Sequence, residues 1–199
     1  MRRVVCYPFI GDSGGGAHLS TIELIRHIDS ERYRPLIVLH EEGLLADHLR
    51  RAELDYVHLP LSAYAGARPS LVSIATSALR AAPTLRRFLR RECVSLVHCN
   101  DLRTNMTWAL ASRLAGARFV WHQRTQTLSG SMLWKAIPRL ADHCIAISTT
   151  AARSFGGAGT RLTIIDNPFS INAACDRGSA RKALIAETGA DAGDRLIGY

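Results

Sequence analysis

The chain has 199 residues, enough for one good core or for one core and part of a second. Its 47% hydrophobic and 21% charged content fits an ordinary soluble globule, with no internal repeat or low-complexity segment. A net charge of +8, carried almost wholly by Arg, favours anionic partners: phosphates, nucleotides, acidic lipid or nucleic acid.

The first apolar run, Arg3 to Tyr7, predicts a strand. Met1-Arg2-Arg3 ahead of it imitates a secretory signal. However, the apolar segment is short, Asp12 interrupts it, and no small-x-small cleavage site follows. Gly11-Asp12-Ser13-Gly14-Gly15-Gly16 comes next, then a helical pattern from Ala17 to Ile28 with Ala17, Thr21, Leu24 and Ile28 along one stripe. Strands are expected at Leu36–Leu39, Tyr56–Leu59, Val94–His98, Phe119–Trp121, Cys144–Ile147 and Leu162–Ile165. Helices are expected at Leu44–Leu54, Ser70–Arg91, Thr104–Leu114, Met132–Leu140, Thr149–Phe155 and Arg177–Thr188. Pro83 should break or kink the second of these. Ser62–Pro69 reads as a loop and Gly156–Gly159 as a turn. This alternation predicts an α/β fold: a doubly wound, mostly parallel sheet of about seven strands, covered on both faces. Residues 1–170 form the expected domain. Residues 171–199 read as a linker and, from Asp194, the opening strand of a second domain.

Strand, glycine turn and helix in succession make a setting for anions. Glycines let backbone amides approach a ligand, and the helix N-terminus favours negative charge. The third glycine of a dinucleotide fingerprint is missing, although Glu41 after the second strand could hold a ribose. No GK[ST] follows, which excludes a P-loop. His98-Cys99-Asn100-Asp101 ends one strand, and Trp121-His122-Gln123-Arg124 ends the next. Residues at the carboxyl ends of such strands face the ligand crevice. His122 could bond a ligand or shuttle a proton near neutral pH, and Arg124 could clamp a phosphate. Asn100 or Asp101 could equally cap the following helix.

The five cysteines, Cys6, Cys93, Cys99, Cys144 and Cys175, form no CxxC pair and read as thiols of a reducing compartment. The scattered His and Cys residues lack metal-site spacing, so no metal is expected. No GxSxG elbow is present, and no apolar run reaches membrane-span length. Arg86, Arg87, Arg90 and Arg91 flank Leu85, Phe88 and Leu89. That pattern suits a helix lying on an anionic membrane, or equally a packing helix with an arginine-rich solvated edge. Nucleic acid is a poorer partner, since few aromatics accompany the arginines. The expected location is cytoplasmic, with peripheral contact at the inner membrane face through those four arginines.

The ordered set of Gly-Gly-Gly, His-x-Asn-Asp, Trp-His-x-Arg, Ala-Ile-Ser and Ile-Asp-Asn-Pro resembles the N-terminal domain of retaining GT-B glycosyltransferases of the group 4 family. The resemblance covers Arg3 to about Phe169. It implies two Rossmann-like domains facing a cleft, a nucleotide-sugar donor, a glycan or lipid-linked acceptor, and no metal cofactor. It implies that Gly15 and Gly16 bind the donor, that His122 is catalytic against the transferring sugar, and that Asn100, Asp101 and Arg124 border the acceptor. Asn167 would introduce the interdomain hinge, while His18 stands where many relatives carry Glu. A fragment holding only this half should be inactive. Three rivals stay open: a non-hydrolysing nucleotide-sugar epimerase, a dinucleotide oxidoreductase using Gly14, Gly16 and Glu41, and a non-catalytic membrane adaptor.

Overall fold

The structure is a computed structural model that describes residues 2–61, 71–126, 137–155, 161–167, 176–191 and 193–195. The expected loop Ser62–Pro69, the turn Gly156–Gly159, residues 132–136 of the expected helix, Thr127, Cys175 and the terminal strand from Leu196 lie outside them.

Seven strands form one sheet: β1 Arg3–Phe9, β2 Tyr33–Leu39, β3 Tyr56–His58, β4 Val94–Cys99, β5 Arg118–Gln123, β6 His143–Ala146 and β7 Leu162–Ile164. Their order is β3-β2-β1-β4-β5-β6-β7, and every pairing is parallel. The helices are α1 Gly16–His27, α2 Leu44–Arg51, α3 Leu71–Arg91, α4 Leu102–Ala115, α5 Thr149–Ala152 and α6 Arg177–Thr188. Residues Ile137–Leu140, from the expected helix over 132–140, form a 3-10 turn.

Alternation along β1 explains the two layers. Val5, Tyr7 and Phe9 point to one face, where they meet Ile22 and Ile25 of α1 and Leu45 and Leu49 of α2. Val4 and Cys6 point to the other, against α3 and α4. Because both faces are covered, β1 is buried at every position from Val4 on, as a central parallel strand must be.

Two local expectations are corrected, and one open alternative is decided. The buried stripe of α1 is His18, Thr21, Ile22 and Ile25, while Leu24 is 40% exposed. Both phases satisfy a 3.6-residue period, and the helix takes the one that seats Ile22 and Ile25 on the sheet. Pro83 does not end α3, which runs through it to Arg91. Pro83 is exposed, while Ala81, Ala82 and Leu85 beside it are buried and hold the helix down on both sides of the missing N–H. Leu85, Phe88 and Leu89, which suited either a membrane face or a packing helix, are core residues packed among the sheet and α4. Arg86, Arg87, Arg90 and Arg91 stay exposed. Among the described residues, no helix is long and apolar enough to cross a membrane.

The chain divides into two compact units, Met1–Asn167 and Pro168–Tyr199. The second contains α6, capped at its start by Asp176, whose carboxylate accepts from Gly178 N at 3.0 Å.

Candidate active site at the switch point of the sheet

β1 and β4 are neighbours in the sheet, yet the connections from their ends leave in opposite directions. That reversal opens a crevice outside the carboxyl ends of the two strands, the usual ligand position in such sheets. The glycine loop leaves β1 on one side. His98 to Asp101 leave β4 on the other, and the end of β5 lies next to it.

The glycine loop is held from beneath. Gly11 has φ +109°, and a side chain there would collide with the carbonyl of Glu41. Gly43 is also tightly placed, since a Cβ on it would sit 2.8 Å from Gly11 O. Gly11 O also accepts from Leu45 N at 3.3 Å, at the start of α2. Above this base the loop is open. A Cβ at Gly14 or Gly16 would meet nothing within 4 Å. Gly15 is the N-cap of α1 and provides no side-chain cap, and the first turn of α1 has no acidic residue. No residue of the helix itself caps that positive end, although Asp101 and Asp12 act electrostatically on His18 in its first turn. Asp12 in the loop pairs with Arg103 of α4 at 2.8 Å, both partly exposed, and so spans the two sides of the crevice.

The second side is a hydrogen-bonded cluster. His98 and His122 stack with ring centroids 5.4 Å apart and 20° between planes. His98 Nε2 lies 3.2 Å from His122 Nδ1, so one N–H bridges the pair. Asn105 Nδ2 donates to the backbone carbonyl of His122 at 3.4 Å, and Asn100 Nδ2 to that of His98 at 3.3 Å. Asn100 Oδ1 accepts from Arg124 Nη2 at 3.0 Å. Through Arg124 the cluster reaches α1, where Ser20 Oγ accepts at 2.9 Å. Side chains of this chain alone thus join α1 at Ser20, the end of β4 at Asn100 and the residue after β5 at Arg124.

Burial changes what these groups can do. His122 is 8% exposed, and its Nε2 is buried with no partner. Its pKa falls from 6.5 to about 3, first because burial penalises the cation, then through the charge of Arg124, then through His98. His98 falls to about 4 through burial and then Arg124. Both rings are therefore neutral near pH 7, where each can donate and accept hydrogen bonds. Burial lowers the pKa of His18 as well, and its Nδ1 has no partner. Arg124 drops to about 10 through burial and remains a cation.

Other expected site residues hold structural bonds. Asp101 is the N-cap of α4, accepting from Thr104 N at 2.9 Å through Oδ1 and from Thr104 Oγ1 at 2.9 Å through Oδ2. Asn100, 1% exposed, is interior. Glu41 is exposed beyond β2. Sequence reasoning missed Ser20 and Thr21 as partners of Arg124, Asn105 as the support of His122, and the pairing of His98 with His122. A buried polar residue inside an apolar helix pattern, as at Asn105, was the one available signal. No group of three or more His, Cys, Asp or Glu gathers among the described residues to hold a metal.

Residues 14–172, from the glycine loop past Asn167, match the model of Glycosyltransferase Family 4. The chain belongs to Glycosyltransferase Family 4. No protein of curated function matches it. Among solved structures, Alr3699/HepE from Anabaena in complex with UDP and glucose is similar at 21% identity and TM-score 0.65, over 93% of this chain and 50% of that one. A glycosyltransferase from Rickettsia africae ESF-5 is similar at 12% identity and TM-score 0.68, over 96% and 51%. A UDP-N-acetylglucosamine 2-epimerase is similar at 13% identity and TM-score 0.60, over 84% and 49%. The chain thus spans about half the length of these structures. At such identities the likeness is one of fold: this Family 4 chain has the Rossmann-like half of the GT-B architecture, its sheet order and crevice included.

Proposed function

We propose that this chain is the acceptor-side half of a retaining glycosyltransferase that moves a sugar from a nucleotide-sugar donor to a glycan or lipid-linked acceptor. The observation that supports the reading is the guanidinium of Arg124, which ties α1 through Ser20 to Asn100 and to the end of β5, beside His122. The similarity to a UDP complex makes a uridine diphosphate sugar the first donor to try.

Sugar transfer builds positive charge on the anomeric carbon while a diphosphate departs. Amides at Gly15 and Gly16, at the positive end of α1, would stabilise the departing negative charge. His122, neutral at working pH, would bond a hydroxyl of the transferring sugar through its unpartnered Nε2, which is buried in this structure and has to be uncovered as the sugar binds. It acts by hydrogen bonding rather than as an acid or base. Asn100 and Asp101 would shape the acceptor side. The leaving phosphate is the base that takes the acceptor proton in this scheme, and no metal ion is required. Location at the inner membrane face would come from the exposed Arg86, Arg87, Arg90 and Arg91, by charge alone, since the apolar residues between them are buried.

The test is transfer from radiolabelled UDP-sugar by the full-length enzyme with both halves present, since this half alone should be inactive. His122→Ala should lower turnover by about 100-fold, within the range for one lost transition-state donor. Near-normal turnover would remove His122 from the chemistry. A second reading, nucleotide-sugar epimerisation, is favoured by the fold shared with the 2-epimerase. Conversion of the sugar nucleotide with no acceptor present would select it.

A further inference from the structure

Arg124 follows β5, and its guanidinium reaches three other segments. Nη1 donates to Ser20 Oγ at 2.9 Å and to Asn167 Oδ1 at 2.6 Å. Nη2 donates to Asn100 Oδ1 at 3.0 Å and to Thr21 Oγ1 at 3.4 Å. These four bonds use all four Nη hydrogens. Only the Nε–H remains, buried and without a partner. All four acceptors are neutral side-chain oxygens of this chain. To grip a phosphate with both Nη atoms, Arg124 would have to release them.

The positions of the acceptors give the arrangement its meaning. Ser20 and Thr21 lie in the second turn of α1, which starts at the glycine loop. Asn100 leaves β4. Asn167 is the last residue of the first compact unit. One planar cation thus fixes α1 against the ends of β4 and β5, and fixes the exit of the chain after β7 to the same point. Thr21 can be buried there because its hydroxyl also donates to Ala17 O at 2.8 Å.

We propose that Arg124 is a positioning residue, and that Asn167 is the second half of the same latch. Together they hold the glycine loop in place relative to His122, so the residue that closes the first unit also sets the donor side of the crevice. For its effect on donor binding, the proposal rests on the glycosyltransferase reading. Its mechanical part does not.

Hydrogen–deuterium exchange on the intact protein separates the two. Arg124→Lys keeps a charge but loses the fork, and Asn167→Ala loses one acceptor. Both should speed exchange of the α1 amides from His18 to Thr21 by about tenfold, the scale of one charge-assisted bond. Asn167→Asp keeps an acceptor and should retain full protection. The double variant Arg124→Lys with Asn167→Ala should be no faster than the faster single variant, because both break one device. In the donor assay, the two single variants should raise KM for the sugar nucleotide about tenfold with kcat little changed. Unchanged α1 exchange in Asn167→Ala overturns the proposal. A KM effect confined to Arg124→Lys also overturns it and makes Arg124 a direct ligand contact. If Arg124→Lys does not fold, Asn167→Ala and Ser20→Ala carry the test. If exchange responds as stated while the unmodified protein turns over no donor, the latch stands and the glycosyltransferase reading fails.

Discussion

Gly11, rather than the three consecutive glycines, is the position in the loop that tolerates no side chain. Its φ of +109° and its contact with the Glu41 backbone leave no room for a Cβ. Gly11→Ala should cost about 3 kcal/mol, the upper end for a strained backbone position, measured by urea unfolding. Gly14→Ala should cost under about 1 kcal/mol, because its Cβ would meet nothing. Asp101 gives a second contrast. As the N-cap of α4 it contributes about 1 kcal/mol, which Asp101→Ala should remove. The sequence offered both roles for Asp101, and the carboxylate's two bonds to Thr104 show that the cap is made. Nothing in the spacing could have revealed that Arg124 spends its Nη hydrogens inside the chain, because its partners lie 24 to 104 residues away.

Among the elements, α3 and α4 show how amphipathic patterns are resolved. A helix with apolar and basic faces suits a membrane surface or a protein core equally well. Packing against α4 and the sheet decides for the core, with Leu85 at 0% exposure. Leu85→Ala should therefore cost about 2–5 kcal/mol, as buried leucines do, while Arg87→Ala should stay within about 0.5 kcal/mol; thermal or urea unfolding reads both. Helix α4 is fastened differently. Trp108 Nε1 donates to His40 Nε2 at 2.9 Å, and His40 Nδ1 lies 2.7 Å from Leu59 O. A neutral ring with its proton on Nδ1 satisfies both bonds, tying α4 to the ends of β2 and β3. Trp108→Phe removes the N–H that His40 Nε2 accepts and should cost about 1 kcal/mol.

At the scale of the whole molecule, the buried histidines make stability depend on pH. The pKa of His40 and of His98 falls to about 4 and that of His122 to about 3, chiefly through burial, against 6.5 unfolded. The unfolded chain therefore binds more protons than the folded one between those values. Stability is full above pH 6.5 and is lost as pH falls through 6 and 5 towards 4. By pH 5 the loss should reach up to about 2 kcal/mol per histidine. Urea midpoints measured between pH 5 and 7 check the sign, and His40→Gln or His98→Gln should flatten the curve. A midpoint that rises on acidification would contradict the buried neutral pair.

Sequence by itself determined the order of the seven strands along the chain, the principal helices between them and the parallel sheet they build. These follow from local periods, glycine turns and the rule that binding groups gather at the carboxyl ends of strands. It also placed His122, Asn100 and Arg124 near one another, since β4 and β5 end side by side in any sheet of this order. Only the tertiary structure decided which stripe of α1 is buried, that α3 survives Pro83, and that the expected polar edge is an interior network. Those outcomes depend on desolvation and on hydrogen bonds between residues far apart in the chain. Neither is written in the pattern of neighbours along it.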